Sequence, residues 1–139
     1  MKQQTFTILK PDTVMRRNAG AIISRLEQEG FDILGAKRLH LTVEQARAFY
    51  AVHKDRPFYN SLVEFMTSGP VWVMALERDN AVEYLRKVMG ATDSQKAEKG
   101  TIRAQFGTNI ERNAIHGSDS PENARIEIGF FFAASEILR

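Results

Sequence analysis

Val71-Trp72-Val73-Met74-Ala75-Leu76 is apolar at every position, so it reads as a central strand covered on both faces. Working outward, Ser68-Gly69-Pro70 marks a turn before it, and Asn80 with Glu83 reads as the cap of a following helix whose apolar side is Val82, Leu85 and Met89. Toward the N-terminus, Thr5-Phe6-Thr7-Ile8-Leu9 alternates as a strand and stops at Lys10-Pro11-Asp12, because proline has no N–H to give a sheet. A helix then places Ile22, Ile23 and Leu26 on one side and ends at Gly30. Ile33 to Leu41 reads as a second strand. Thr42-Val43-Glu44-Gln45 is a capping-box pattern opening the next helix, and a short helix after Pro57 carries Leu62, Val63 and Met66. From Ala91 to Asp119 the pattern is irregular, with a turn near Ile102 to Phe106. Ser120-Pro121 opens a brief helix, and Ile126 to Phe132 reads as the last strand. The order β-α-β-α-α-β-α-(loop)-β is that of an α+β, ferredoxin-like sandwich: a four-stranded antiparallel sheet with helices packed on it, in one domain spanning residues 1–139.

With 139 residues, 43% hydrophobic and 26% charged, the chain has the balance of an ordinary globular domain and needs no staples. There is no cysteine, which excludes disulfides, thiolate metal sites and Cys nucleophiles. No apolar run approaches the roughly 18 residues of a membrane span, and the N-terminus lacks a signal peptide's apolar region, so the expected location is cytoplasmic with no membrane partner. Nineteen Lys plus Arg are interleaved with seventeen Asp plus Glu. Such mixing argues against a nucleic-acid binder, which gathers its cations into one stripe. A small anionic ligand needs only a few cations in one pocket.

No glycine precedes a lysine and no two glycines stand two apart, so neither a P-loop nor a dinucleotide fingerprint is present. None of His40, His53 and His116 lies in a metalloprotease motif. The long irregular stretch remains, since 29 such residues in a compact domain tend to be functional or disordered, and Ile102, Phe106, Ile110 and Ile115 supply packing anchors. Within it, Asn113-Ala114-Ile115-His116-Gly117-Ser118-Asp119 joins an imidazole to a glycine, a hydroxyl and a carboxylate. An imidazole, with an ordinary pKa of about 6.5, keeps a free lone pair at neutral pH and can attack a phosphoryl group. It then needs an acceptor to fix its tautomer and cations to offset the transferred charge. Taken by itself, a lone loop histidine reads more often as a bystander.

Asn113-x-x-His116-Gly117-Ser118-Asp119, Lys10-Pro11-Asp12 and Gly100-Thr101-Ile102-Arg103 together resemble the nucleoside diphosphate kinase family. Glu29-Gly30-Phe31, Arg56-Pro57-Phe58, Ser68-Gly69-Pro70 and Glu127-Ile128-Gly129 match in order, so the resemblance spans essentially the whole chain. It implies transfer of the γ-phosphate of a nucleoside triphosphate to a nucleoside diphosphate, in ping-pong fashion, through a phosphohistidine on His116, with broad base and sugar tolerance. By the same resemblance, Glu127 hydrogen-bonds the imidazole and Ser118 supports that carboxylate. Lys10, Arg86 and Arg103 bind phosphate, Thr92 donates a hydroxyl, and Tyr50 stands near the transferring phosphoryl group. Asn113 with Lys10 holds the sugar, while Phe58 and Ile110 flank the base with Leu62 close by. Mg²⁺ is carried by the nucleotide phosphates, with no metal held by the protein alone.

Each of these residues also has a plainer reading. Arg86 fits a solvated helix face, Lys10 a strand end, and Phe58 with Leu62 an i,i+4 core pair; Glu127 reads as the outward position of an alternating strand. Two departures stand out. Asp93-Ser94 occupies the loop where relatives often carry proline, which bears on subunit contacts, and the tail after Phe132 is short. The resemblance implies a homo-oligomer, and the short tail favours a tetramer over a hexamer. A non-catalytic nucleotide-binding module would have lost the nucleophile or its partner, and both His116 and Glu127 are present. A nucleic-acid-binding sheet would carry exposed aromatics on two central strands, for which Trp72 is the only candidate.

Overall fold

A computed structural model describes residues 1–139. Strands β1 (Lys2–Leu9), β2 (Asp32–Leu39), β3 (Val71–Asp79) and β4 (Ile115–Gly117) form one antiparallel sheet in the order β2-β3-β1-β4. Helices α1 (Pro11–Met15), α2 (Ala19–Gln28), α3 (Val43–Phe49), α4 (Tyr59–Met66), α5 (Ala81–Met89), α6 (Ile102–Phe106) and α7 (Pro121–Phe131) complete the fold. This is the ferredoxin-like α+β sandwich expected of the sequence.

The double coverage of β3 has a direct cause in its alternation. Val71, Val73 and Ala75 point to one layer with Phe6 and Ile8, where they meet Leu62, Val63 and Met66 of α4 and Ile128 and Phe131 of α7. Met74 and Leu76 point to the other, against Ile22 and Leu26 of α2 and Leu85 and Met89 of α5. Burying both faces at roughly 25 cal/mol per Å² of apolar area makes this strand the centre of the molecule.

The last strand is not where the alternation placed it. Residues 126–131 lie in α7, and the fourth strand is the three-residue Ile115–Gly117. Ser120 caps α7 by accepting the Asn123 N–H at 3.1 Å, and Pro121 sits at its first position. The buried set is Ala124, Ile128 and Phe131, a helical period, while Ile126 and Phe130 are 68% and 39% exposed. Apolar residues on two helix faces had imitated a two-residue repeat. The cap of α5 also differs: Asn80 is left-handed (φ 52°) with no side-chain cap bond, and Gln3 of β1 accepts the Val82 N–H at 2.9 Å instead. β2 ends at Leu39, two residues earlier than its pattern suggested.

Candidate active site

β4 is short but firmly anchored. His116 lies opposite Ile8 in the sheet, so its side chain projects toward the layer that contains α3 and α7. Its carbonyl accepts from the Thr7 hydroxyl at 2.7 Å. Two residues earlier, Ala114 adopts φ 75°, a left-handed conformation that costs a non-glycine residue of order 1 kcal/mol. The segment after β1 holds it there. The Asp12 carboxylate accepts the Ala114 N–H at 3.1 Å, and the Ala114 carbonyl accepts the Lys10 N–H and the Thr13 hydroxyl, each at 2.9 Å. Asp12 carries no role in the sequence reading; its only signal was its place beside Lys10-Pro11.

The His116 Nε2 donates to Glu127 Oε1 at 3.0 Å, and the Ser118 hydroxyl donates to the same oxygen at 2.6 Å. With the proton assigned to Nε2, Nδ1 keeps the lone pair and has no hydrogen-bond partner. Phe49 and Tyr50, at the end of α3, meet the imidazole edge-on at centroid distances of 5.6 and 6.5 Å, with Phe6 at 6.2 Å. The Tyr50 hydroxyl is buried without a partner. Burial, then the nearby Glu127 carboxylate, pushes its pKa above the ordinary phenol value, so it stays a proton donor.

Beside the imidazole opens a cleft of about 550 Å³. Lys10, Arg86 and Arg103 line it, brought from the end of β1, from α5 and from α6. Lys10 is buried and donates to Asn113 Oδ1 at 2.7 Å, while Asn113 Nδ2 donates to the carbonyls of Thr92 and Ile110 at 2.9 and 3.1 Å. Burial first, then Arg103, lowers the Lys10 pKa to about 8 against the pull of Asp12 and Glu111. Arg103 is tied to the carbonyls of Ile115 and Gly90 at 2.7 and 3.1 Å, and its Nε is buried with no partner. Burial, then Arg86, lowers its pKa to about 10, which leaves it charged at neutral pH. Lys10 and Arg103 are desolvated cations and Arg86 is an exposed one, and none of the three is ion-paired to a carboxylate, as a site for an incoming anion requires.

Thr92, Phe58, Leu62 and Ile110 also line this cleft. Phe58 and Ile110 are 45% and 63% exposed, whereas Leu62 is buried. The chain fold thus gathers Lys10, Tyr50, Phe58, Leu62, Arg86, Thr92, Arg103, Ile110, Asn113, His116 and Glu127 around one opening. Ser118 is fully buried and reaches it only through Glu127. Asp119, quoted with the His116 motif but given no role, joins the wall, as do Phe49, Glu111 and Asn123, which were not singled out; a lone Glu in a loop carries no distinguishing pattern. His53 stands at the mouth, 5.4 Å from the Phe58 ring, while His40 Nε2 pairs with the Thr67 carbonyl at 2.7 Å outside the cleft.

The nucleoside diphosphate kinase family model matches residues 3–137. Nucleoside diphosphate kinase of Helicobacter pylori is 55% identical over 137 residues, which cover 99% of this chain and 100% of that protein. The Chlamydia caviae nucleoside diphosphate kinase is 56% identical over 98% of this chain and 96% of its own length. Among solved structures, the Aquifex aeolicus nucleoside diphosphate kinase superimposes with a TM-score of 0.97 at 47% identity, covering 99% of this chain and 100% of that one. The Halobacterium salinarum enzyme, solved in complex with CDP, does so at 0.96 and 41%, covering 100% and 93%. A match of this length and identity, on a chain whose histidine, carboxylate and cations meet in one cleft, makes this protein a member of the nucleoside diphosphate kinase family.

Proposed function

We propose that this chain moves the γ-phosphate of a nucleoside triphosphate onto a nucleoside diphosphate through a phosphohistidine formed at Nδ1 of His116. The observation that carries the reading is the Nε2–Glu127 hydrogen bond, which leaves Nδ1 as the free nucleophile in a cleft holding Lys10, Arg86 and Arg103. The Nδ1 lone pair attacks the γ-phosphorus, the bond to the β-phosphate oxygen breaks, and the diphosphate leaves with those electrons. The Nε2 proton stays against Glu127, whose charge offsets the positive imidazole, and Ser118 keeps that carboxylate aimed. An acceptor diphosphate then attacks the same phosphorus and restores the imidazole. One pocket serves both halves, so the chemistry is largely orientation and charge stabilisation.

Lys10, Arg86 and Arg103 take the phosphate oxygens, Thr92 and Tyr50 offer hydroxyl donors, and Asn113 with Lys10 holds the sugar. Phe58 and Ile110 sandwich the base with Leu62 beneath, an arrangement that accepts any base because every base has a π face. Mg²⁺ is the cofactor we assign. The structure has no group of three or more acidic or histidine side chains suited to caging a metal, and three cations fall short of the charge on a triphosphate. An ion brought in by the nucleotide would supply the positive charge that Lys10, Arg86 and Arg103 alone do not. We assign a homo-oligomer, a tetramer before a hexamer, acting in the cytoplasm; no helix is long and apolar enough to cross a membrane. Sedimentation gives the subunit number directly.

Incubation with γ-labelled ATP and Mg²⁺ without acceptor yields one acid-labile, alkali-stable phosphate per subunit. His116→Asn removes both the label and turnover. Full turnover in that variant overturns the assignment.

A further inference from the structure

Three carboxylates line a cleft whose cations await an anion: Glu127, Asp119 and Glu111. Glu127 serves His116, and Asp119 accepts from Asn123 Nδ2 at 2.6 Å. Glu111 does neither. Its Oε1 accepts the Ser61 hydroxyl at 3.0 Å, and Oε2 has no partner. Ser61 lies on α4 three residues after Phe58 and one before Leu62, so it shares their helix face. Glu111 directly follows Ile110. The hydrogen bond therefore joins the two walls assigned to the base.

The loop that carries Glu111 is fixed before any ligand arrives. Asn109 Oδ1 accepts the N–H groups of Glu111 and Arg112 at 3.1 and 2.8 Å, and Asn113 Nδ2 holds the Ile110 carbonyl. Glu111 is near enough to Lys10 to act on its charge, but its place beside Ile110 and its bond to Ser61 set the carboxylate on the walls assigned to the base, where it meets a neutral ring. An ionised carboxylate only accepts hydrogen bonds, and it matches a partner with two adjacent donors. Guanine alone offers that on its pairing edge, as N1–H beside the 2-amino group. Adenine and cytosine set an acceptor next to their amino group, and uracil and thymine flank their single N–H with carbonyls.

We propose that Glu111, held by Ser61, reads the pairing edge of guanine and makes guanine nucleotides the favoured substrates of this chain, a preference laid over the stacking tolerance of Phe58 and Ile110. The inference rests on the phosphotransfer reading above, and its test separates the two. The protein is charged with γ-labelled ATP and Mg²⁺, freed of nucleotide, and discharged with limiting GDP or IDP, which differ only in the 2-amino group. Discharge by GDP is about tenfold faster than by IDP in the unaltered chain, the effect of one charge-assisted hydrogen bond. In Glu111→Ala the ratio falls to near one. Glu111→Gln, which keeps the volume but turns one acceptor into a donor, lowers it in the same direction and supplies the readout if the alanine variant does not fold. A ratio near one in the unaltered chain, or an undiminished ratio in the variants, overturns the proposal. Failure of the unaltered chain to take up label removes the phosphotransfer reading and this one with it.

Discussion

Burial holds Lys10 at a pKa of about 8, below its usual 10.5, and this sets a pH dependence of nucleotide binding. The free site loses the Lys10 proton as pH passes about 8. A bound diphosphate puts anionic oxygens against Nζ, favours the charged form and returns the group toward its ordinary value. Binding above pH 8 must therefore take up a proton. From these two values, ADP affinity weakens about tenfold between pH 7 and pH 9, and at pH 8.5 about three-quarters of a proton enters per ADP bound. Calorimetric titration in two buffers of different ionisation enthalpy measures that uptake. Lys10→Arg keeps a charge that does not titrate in this range, so its affinity stays nearly flat and carries any titration of the nucleotide itself as a control. The linkage has a second sign to check. The folded pKa lies below the unfolded one, so folding is penalised by about 3 kcal/mol at pH below 8 and the penalty lifts as pH rises from about 8 to 10.5. Equal pH slopes for the unaltered chain and Lys10→Arg, with no proton uptake, would refute the reasoning.

Glu127→Gln slows phosphoenzyme formation by about a hundredfold in quenched-flow measurements, because the amide no longer offsets the developing charge on the imidazole; an unchanged rate would sink the role given to that contact. Asp12→Ala frees the Ala114 N–H it now accepts, costing about 2 kcal/mol of unfolding free energy by urea titration and slowing phosphorylation of His116, whereas stability within a few tenths of a kcal/mol of the parent counts against the support assigned to it. Ser94 is the first residue of a 3-10 turn, Ser94–Lys96, and its N–H makes no hydrogen bond, while Asp93 has the extended backbone that a following proline prefers. Ser94→Pro therefore raises stability by roughly 0.5–1 kcal/mol, or about 2–3 °C in Tm; a lower Tm would mean that the close packing of Ser94 on Gly107 outweighs the backbone gain.

Local rules made several elements legible. The Thr42 box forms as the sequence implies, with Thr42 Oγ1 accepting the Gln45 N–H at 3.0 Å and Gln45 Oε1 accepting the Thr42 N–H at 2.9 Å. Ser120-Pro121 opens a helix, and the unbroken apolar run at Val71 is the central strand. What escaped was settled by groups far away in sequence. Asn80 is excused from capping because Gln3, on β1, supplies the oxygen. Ala114 is left-handed because Asp12 and Thr13 hold it, about a hundred residues earlier in the chain. A three-residue strand such as β4 is too short to show a period, and its register comes from β1 alone.

Glu127 shows why chemistry was readable where secondary structure was not. Taken as a strand residue, Glu127 would point away from Ile128 and reach either solvent or core. On α7 the buried stripe runs through Ala124, Ile128 and Phe131, so Glu127 falls at its margin, one turn beyond Ala124 and beside Ile128. Its side chain is 19% exposed there, sheltered enough to hold the imidazole and still at the edge of the cleft. The family resemblance paired His116 with Glu127, and an imidazole that carries a phosphoryl group needs such an acceptor whichever element supplies the oxygen. The geometry that meets it, by contrast, depends on the helix: a turn at Ser118-Asp119-Ser120 sends the chain from β4 directly into α7, and the helical rise carries Glu127 back across the face from which His116 projects. Replacing that helix by a strand would keep the residue types and lose the 3.0 Å contact on which the proposed mechanism turns.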